Sequence, residues 1–347
     1  MKIDHHVLRC FEHQALACEL LGSPFTSRVC ALLGTRLTSR SRFGARIARW
    51  PETAGEDVLA LRAAGALNAL AGSGKCPELT AAYPPYTVDD ETLWSGISSA
   101  ITVHDWFLHD YLDSPPQTNE VARSGSLLGG ALHLASDIGL PLDIYEIGSS
   151  AGLNLGFDHY HYDFGGSIWG RTDEGVHIAQ DWKGPLPPLD APLSIWRRQG
   201  CDQNPLDPSQ TATRTRLLSY CWPDQSARIA RLEAALASTA RAGLRVEKAD
   251  AADWVEHHFS AAPEKGVTRV LMHSIVWQYL PPDVKARVTS AIDAAGRAAS
   301  PDAPVAWLRV EPDSSQPYAE VKLTIWPNGE TRVLGNADFH GRFTHWL

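Results

Sequence analysis

Short apolar runs alternate with helical stretches after Pro141, and this alternation constrains the fold more than any other feature of the sequence. Strands that alternate with helices pair as a parallel sheet covered on both faces. The predicted strands are 142–147, 193–200, 244–249, 268–274 and 304–310, and the predicted helices between them are 213–221, 225–242 and 282–299. The closing runs, AEVKLTIW and RFTHWL, flank a Pro-Asn-Gly-Glu turn and another short run, which predicts antiparallel strands at the edge.

The sequence before Pro141 indicates helices throughout. Ser23-Pro24 is typical of an N-cap followed by a first-turn proline, and EDVLALRAAGALNALAGSG has the 3.6-residue apolar period. A helix over 119–138 is expected, with Asn119 as a possible N-cap and Glu120 in its first turn. The predicted fold is therefore α/β: an all-helical N-terminal domain, 1–118, and a doubly wound sheet domain, 119–347, with an inserted hairpin and loop at about 157–192.

Composition narrows the classes of function. The net charge of −9 argues against a broad nucleic-acid surface, because phosphate binding requires clustered Lys and Arg. No apolar window approaches the roughly 18 residues of a membrane span, and the charged N-terminus does not have the form of a signal peptide, so we expect a cytoplasmic protein. Six cysteines without a CxxC pair predict reduced thiols rather than a zinc ribbon.

Carboxylates recur where the predicted strands end. In open α/β sheets, ligands bind beyond the carboxyl ends of the strands. The first strand ends in Glu146 and a small-residue loop, 148–152, and the later strands end near Asp202, Asp250 or Asp253, and Glu311. The loop carries no Lys or Arg beside its glycines, which favours a ligand without phosphate.

The segment Glu146-Ile147-Gly148-Ser149-Ser150-Ala151-Gly152 resembles the first motif of the class I S-adenosylmethionine-dependent methyltransferases, in which an acid precedes Gly-x-Gly-x-Gly. Ser150 stands in place of the middle glycine. The resemblance covers roughly residues 119–347 in four ordered motifs, and it implies a Rossmann-like sheet. PQTNEVARS, GCDQNPLD, SYCWPDQ and HSIVWQYLP together also resemble one uncharacterised bacterial family, domain of unknown function 2332, over nearly the whole chain.

The methyltransferase resemblance implies S-adenosylmethionine as cofactor and assigns roles to residues. Asp202 would hold the ribose hydroxyls and Asp250 would read the adenine amino group, which leaves Asp253 as a helix cap. Arg123 would pair with the cofactor's carboxylate. The motif at 273–281 would line the acceptor path, with His273 as a base near neutral pH or Tyr279 as an acceptor contact. The complete set of expected cofactor-binding residues is Arg123, Glu146, Gly148, Ser149, Ser150, Gly152, Asp202, Asp250, Ala251, His273 and Ser274.

Each of these residues also has a purely structural interpretation. The 146–152 segment could be a strand-to-helix turn with packing glycines, and Asp202 could be a turn residue before Asn-Pro. Asp250 could itself be an N-cap. His273 could be a hydrogen-bonded core histidine. His159-x-His161 places two imidazoles on one strand face, but no third ligand stands at a metal-binding spacing, so no metal is expected.

Three functions remain open from the sequence. The leading hypothesis is a methyltransferase for a small molecule or a protein side chain, with the N-terminal helices as a cover over the acceptor. The alternative is a catalytically silent S-adenosylmethionine or nucleoside-binding module, since no acceptor motif is present. A nicotinamide oxidoreductase is the third and least favoured hypothesis, because that class uses G-x-G-x-x-G, whereas the loop here reads G-x-x-x-G. Neither nucleic acid nor a membrane is expected as a partner, and the oligomeric state stays open.

Overall fold

The computed structural model describes residues 4–172, 175–261, 263–313 and 316–347. The chain forms two compact units. One, the helical unit, comprises the chain up to Thr118 together with Thr211–Ala230. The other, the sheet unit, comprises Asn119–Gln210 and Arg231–Leu347.

Amphipathic helices build the helical unit around its own apolar core. Leu33, Leu67, Leu70 and Ile97 are among its fully buried side chains. Ser23 caps the second helix as its sequence predicts, because its hydroxyl accepts the amide proton of Thr26. The helices are α1 His5–Leu20, α2 Pro24–Arg36, α3 Arg42–Ala48, α4 Leu59–Gly72, α5 Pro77–Ala81, α6 Asp90–Val103 and α7 Asp105–Tyr111, joined by α9 Thr211–Ser219 from later in the chain.

The sheet unit contains the strands and the helices that cover them. Its helices are α8 Ser124–Ile138, α11 Ala251–Phe259 and α12 Pro282–Arg297, and α10 Ser226–Arg241 has most of its length here. The strands are β1 Leu142–Ile147, β2 His161–Phe164, β3 Ile168–Gly170, β4 His177–Lys183, β5 Ile195–Asp202, β6 Val246–Lys248, β7 Thr268–Ser274, β8 Val305–Pro312, β9 Ala319–Trp326, β10 Glu330–Ala337 and β11 Phe343–Trp346.

The eleven strands form one sheet in the order β3-β2-β4-β11-β10-β9-β8-β7-β1-β5-β6. Strands β6, β5, β1, β7 and β8 are parallel neighbours, and the direction of winding reverses between β1 and β7. This reversal is the topological switch point at which open α/β sheets bind ligands. All five strands predicted for the parallel region are present.

The two central strands are buried along their whole lengths, which explains their nearly continuous apolar sequences. Tyr145 and Leu271 pack against Val288 and Ile292 of α12 in a single core cluster. A mixed α/β fold with a mostly parallel sheet and N-terminal helices is therefore confirmed. Among the described residues, no helix has both the length and the apolar character needed to cross a bilayer.

The antiparallel edge and the insertion meet at one side of the sheet. Strands β9, β10 and β11 are each antiparallel to the strand that precedes them in sequence, as the final runs predict. Within the insertion, β2 and β3 form the predicted hairpin. The insertion also contributes β4, which no sequence pattern indicates. This strand pairs in parallel with both β2 and β11 and so joins the hairpin to the main sheet.

Candidate functional site

The loop after β1 takes left-handed backbone conformations at three alternate residues. Gly148, Ser150 and Gly152 have φ of 67°, 53° and 74°. At Gly148 a side chain also has no room, because a Cβ atom would lie 2.4 Å from Cγ2 of Val276. Ser150 therefore adopts a left-handed backbone geometry, at a steric cost that a glycine would avoid.

Hydrogen bonds fasten this loop to the neighbouring strand. The Ser149 amide donates to the Cys201 carbonyl at 3.0 Å, and the Ser149 hydroxyl donates to the Glu146 carbonyl at 2.8 Å. The Asp202 carboxylate accepts the Ser150 amide at 2.9 Å and the Asn204 amide at 2.8 Å. Each oxygen of Asp202 thus receives one donor, and a carboxylate oxygen can accept a second.

Glu146 is a buried carboxyl with unmet hydrogen-bonding capacity. It is 2 % exposed, and its Oε2 has no hydrogen-bond partner in the described part of the chain. Burial is the main cause that raises its pKa to about 8; the Ser149 hydroxyl lowers the value, the Asp202 charge raises it, and Arg123 lowers it. Asn154, 1 % exposed and just beyond the loop, also has an acceptor oxygen, Oδ1, with no partner among the described residues.

Arg123 reaches the same crevice from the segment before α8. Its Nε donates to the Phe339 carbonyl at 2.9 Å and its Nη1 to the Ser274 carbonyl at 3.2 Å. Ser274 ends β7, and Val276 beyond it contacts the β1 loop at Gly148. A cationic side chain therefore lies at the switch point within electrostatic range of Glu146.

Asp250 is the N-cap of α11, so the prediction that Asp253 is the cap is wrong. Asp250 has extended backbone angles, and its Oδ1 accepts the amide protons of Ala252 at 2.9 Å and Asp253 at 3.2 Å. Ala251 is the first helical residue. Asp253 lies in the first turn, where its carboxylate pairs with Arg287 at 2.7 Å.

The acids at the strand ends share one neighbour. The pKa of the Cys201 thiol is raised, first by burial and then by the negative charges of Asp202, Glu247, Asp250 and Glu146. Three of these acids, Glu146, Asp202 and Asp250, are predicted from the sequence. They lie at or just beyond the carboxyl ends of β1, β5 and β6, which are adjacent parallel strands.

His273 is fully buried and both of its ring nitrogens are engaged. Its Nδ1 lies 2.6 Å from Glu311 Oε1, and its Nε2 accepts the indole proton of Trp307 at 2.9 Å. Nε2 must therefore be the unprotonated nitrogen and Nδ1 the donor to Glu311. This arrangement favours the structural interpretation of His273 over that of a base. Tyr279 is 74 % exposed in the short turn that follows.

Asn119 does not cap a helix, contrary to the expectation for 119–138. Its Oδ1 accepts the Leu153 amide at 3.0 Å, across the chain, and α8 begins only at Ser124. Glu120 instead caps a short 3-10 turn, Val121–Arg123, by accepting the Ala122 amide. The helix starts late because this turn intervenes, and Asn119 is used to position the chain just after Gly152.

Two residues at the switch point have roles that the sequence does not reveal. Glu311 accepts the amide protons of Val276 and Trp277 in addition to the proton of His273. Asn154 is a buried polar residue between the buried Leu153 and Leu155. The position of Glu311 at a strand end was the one available signal for the first, and nothing in the sequence distinguishes the second.

His159 and His161 do not share a strand face, contrary to the prediction, because His159 ends a 3-10 segment and His161 begins β2. His161 lies beside His177 of β4, with ring centroids 4.9 Å apart, and His159 lies near Asp158. Among the described residues, no group of three or more His, Cys, Asp or Glu side chains is arranged to hold a metal ion.

A family model described as "Uncharacterized protein conserved in bacteria" (DUF2332) matches residues 9–346. The chain belongs to the DUF2332 family. Both units of this DUF2332 protein lie within the match, so the helical unit belongs to the family as much as the sheet does. Neither the curated proteins nor the solved structures contain a significant match.

Proposed function

We propose that this protein binds S-adenosylmethionine at the ends of β1, β5 and β6 and is a methyltransferase whose acceptor is a small molecule or a protein side chain. The observation that carries the proposal is the left-handed backbone at Gly148, Ser150 and Gly152, beside the carboxylates of Glu146 and Asp202. This alternation reproduces the positions of the glycines in the Gly-x-Gly-x-Gly motif.

The chemistry of the donors and acceptors fits a cationic nucleoside without phosphate. Glu146 Oε2 is a buried acceptor with no partner among the described residues, which suits an ammonium group. Asp202 retains an acceptor position on each oxygen for vicinal hydroxyls. Asp250 uses only Oδ1 for its helix in the contacts described, which leaves Oδ2 for an adenine amino group.

Arg123 would complete the set by pairing with a ligand carboxylate, because guanidinium and carboxylate groups form strong charge-assisted hydrogen bonds. When bound, the cofactor supplies an electrophilic methyl group on a sulfonium. The contribution of the chain to methyl transfer would then be positioning, since an in-line approach of the acceptor needs a base only if the acceptor arrives protonated.

A second candidate is a binding module without catalytic activity. It is favoured by the state of His273, whose Nε2 and Nδ1 are both engaged and which therefore has no free nitrogen to accept a proton from an acceptor. Tyr279 is exposed and would remain as the acceptor contact. Cofactor binding without methyl transfer to a broad acceptor panel would establish this alternative.

The test is isothermal titration of the full chain with S-adenosylmethionine and S-adenosylhomocysteine, with ATP and NADH as controls. We expect the first two to bind, and the variants Glu146→Gln and Asp202→Asn to weaken binding by roughly tenfold or more, about 1.4 kcal/mol. Asp190→Asn, on an exposed residue, is the matched control. Asp250→Ser keeps a helix cap while removing the carboxylate, so it should weaken binding without loss of stability.

Absence of heat with both sulfur nucleosides at millimolar concentration would overturn the proposal. Binding of NADH or ATP in their place would assign the loop to a phosphate-bearing nucleotide.

A further inference from the structure

The helical unit has three arginines in and directly after α3. Arg42 and Arg46 are four residues apart, which places their side chains on the same side of α3, and Arg49 is the C-cap residue that ends the helix. Ala45, on the same face, is too small to fill the space between them. Like charges in this arrangement repel, so the cluster stands out in a chain of net charge −9.

These arginines line an open cavity of about 540 Å³. Trp50 forms part of its wall and is held in place, because its indole Nε1 donates to Asp57 Oδ2 at 2.8 Å. The cavity volume lies within the range of small-molecule sites in proteins, roughly 300–1,000 Å³. The residues that matter for its chemistry are Arg42, Arg46, Arg49, Trp50, Asp57 and His109.

The positive charge in the cavity is only partly neutralised. Arg46 pairs with Asp113 and donates to the His109 carbonyl at 2.8 Å. The Arg42 guanidinium instead lies on the Trp106 ring, 3.9 Å from its centroid, and Arg49 is exposed. Neither Arg42 nor Arg49 forms an ion pair with a carboxylate in the part of the chain that the structure describes.

The carboxylates near the cavity are already engaged. Asp57 accepts protons from Trp50 and Thr53, and these hydrogen bonds lower its pKa. Asp105 accepts the backbone amides of Arg42 and Phe43 at the start of α3. The helix start therefore has no amide at these two positions left for a ligand, and any anion in the cavity would be bound by side chains.

We propose that this cavity binds a small organic dianion, through bidentate hydrogen bonds from Arg42 and Arg49. A guanidinium stacked on an aromatic ring keeps its in-plane N–H donors available, and their fork geometry matches a phosphate or a carboxylate. The ligand class is a phosphorylated or dicarboxylic metabolite-sized molecule. The basic face is confined to one short helix, which suits a compact anion rather than a polymer. The site is independent of whether the sheet unit binds a nucleoside.

The experiment is calorimetric titration of the full chain with inorganic pyrophosphate and with succinate, at about 20 mM salt and again at about 200 mM. We expect saturable binding of at least one probe, weakened by the added salt. The double variant Arg42→Gln/Arg49→Gln should weaken it by roughly tenfold or more. Arg9→Gln/Arg40→Gln removes the same charge from exposed residues outside the cavity and should change affinity by less than about twofold.

The two probes separate the sources of the dianion, since binding of pyrophosphate alone identifies a phosphate group and binding of succinate alone identifies a dicarboxylate. Circular dichroism checks that the variants fold, and Arg49→Gln alone serves if the double variant does not. No heat from either probe, or equal weakening in the control variant, would overturn the proposal. So would tighter binding of a single-stranded oligonucleotide that displaces the probe, because it would assign the face to nucleic acid.

Discussion

The ends of β1 and β7 are built from similar parts and differ in how completely those parts are satisfied. Each strand is fully buried and carries a titratable residue near its end, Glu146 in β1 and His273 in β7. Each is followed by a loop with a non-glycine residue at positive φ, Ser150 at 53° and Ile275 at 52°. The two loops also touch, through Gly148 and Val276.

At β7 the polar groups are matched. His273 has a partner for each nitrogen, and Glu311 accepts three protons. At β1 the buried Oε2 of Glu146 has none among the described residues. Buried polar groups in proteins are nearly always hydrogen-bonded. The satisfied groups at the end of β7 therefore favour a structural role, and the unsatisfied Oε2 of Glu146 at the end of β1 is where we expect a ligand to bind. The sequence positions alone suggested the same importance for both.

The largest effect on stability is expected from Glu311→Ala, which removes the carboxylate that contacts the end of β7. The substitution would leave His273 and the amides of Val276 and Trp277 without their acceptor, and we expect a loss of about 3–5 kcal/mol in the free energy of unfolding. Urea denaturation of the wild type and the variant measures it. Glu311→Gln retains one acceptor oxygen and should lose clearly less. Equal stability of all three proteins would show that the β7 end is not held by this carboxylate.

The second test uses the pH dependence of stability at Glu146. Its pKa is about 8 in the folded protein against an ordinary value of 4.5, so the folded state keeps a proton that the unfolded chain releases. Its contribution to stability is therefore complete below about pH 4.5 and is lost as the pH rises towards 8. Relative to Glu146→Gln, the wild type should lose about 2.5 kcal/mol between about pH 5 and 7.

Urea midpoints of both proteins at several pH values give this difference directly. A difference between the two proteins that does not change with pH would mean that Glu146 is solvated or paired. Deprotonation of Glu146 is also coupled to binding of the proposed ligand, because a bound cation favours the charged carboxylate. Affinity for the cationic nucleoside should then rise from pH 6 to pH 8.

The smallest effect concerns the strained backbone of the β1 loop. Ser150→Gly removes the cost of a left-handed serine, about 1–2 kcal/mol, and adds the greater chain entropy of glycine, about 0.5–1 kcal/mol. We expect a net stabilisation of at most about 1 kcal/mol, measured as a shift in Tm. Gly152→Ser, at φ 74°, should move the Tm in the opposite direction. Destabilisation by Ser150→Gly would show that the serine side chain contributes more than its backbone costs.

Local patterns were sufficient for most of the sheet unit. The strand 142–147 coincides with β1, and 268–274 coincides with β7, because continuous apolar runs bounded by turn residues mark strands buried on both faces. In the helical unit, the N-cap Ser23 was predictable from the proline that follows it. These features depend on residues a few positions apart, which a single sequence displays.

The remaining features depend on contacts distant in sequence. Strand β4 has alternating exposure and becomes a strand because β2 and β11 pair with it. The partners of His273 are 34 and 38 residues away. Asp250 and Asp253 have the same capping chemistry, and only the backbone conformation shows which one precedes the helix. Asn119 has the chemistry of a cap but binds Leu153 instead.

The place of β11 in the sheet has a consequence for biosynthesis. β11 pairs with β10 on one side and β4 on the other, although β4 is translated about 160 residues earlier. During translation β2, β3 and β4 emerge before β11, so the edge of β4 that pairs with β11 stays unpaired until β11 is synthesised. Nascent chains of this topology are exposed to association through that edge until β11 has been synthesised, and they would gain from chaperone protection over this interval.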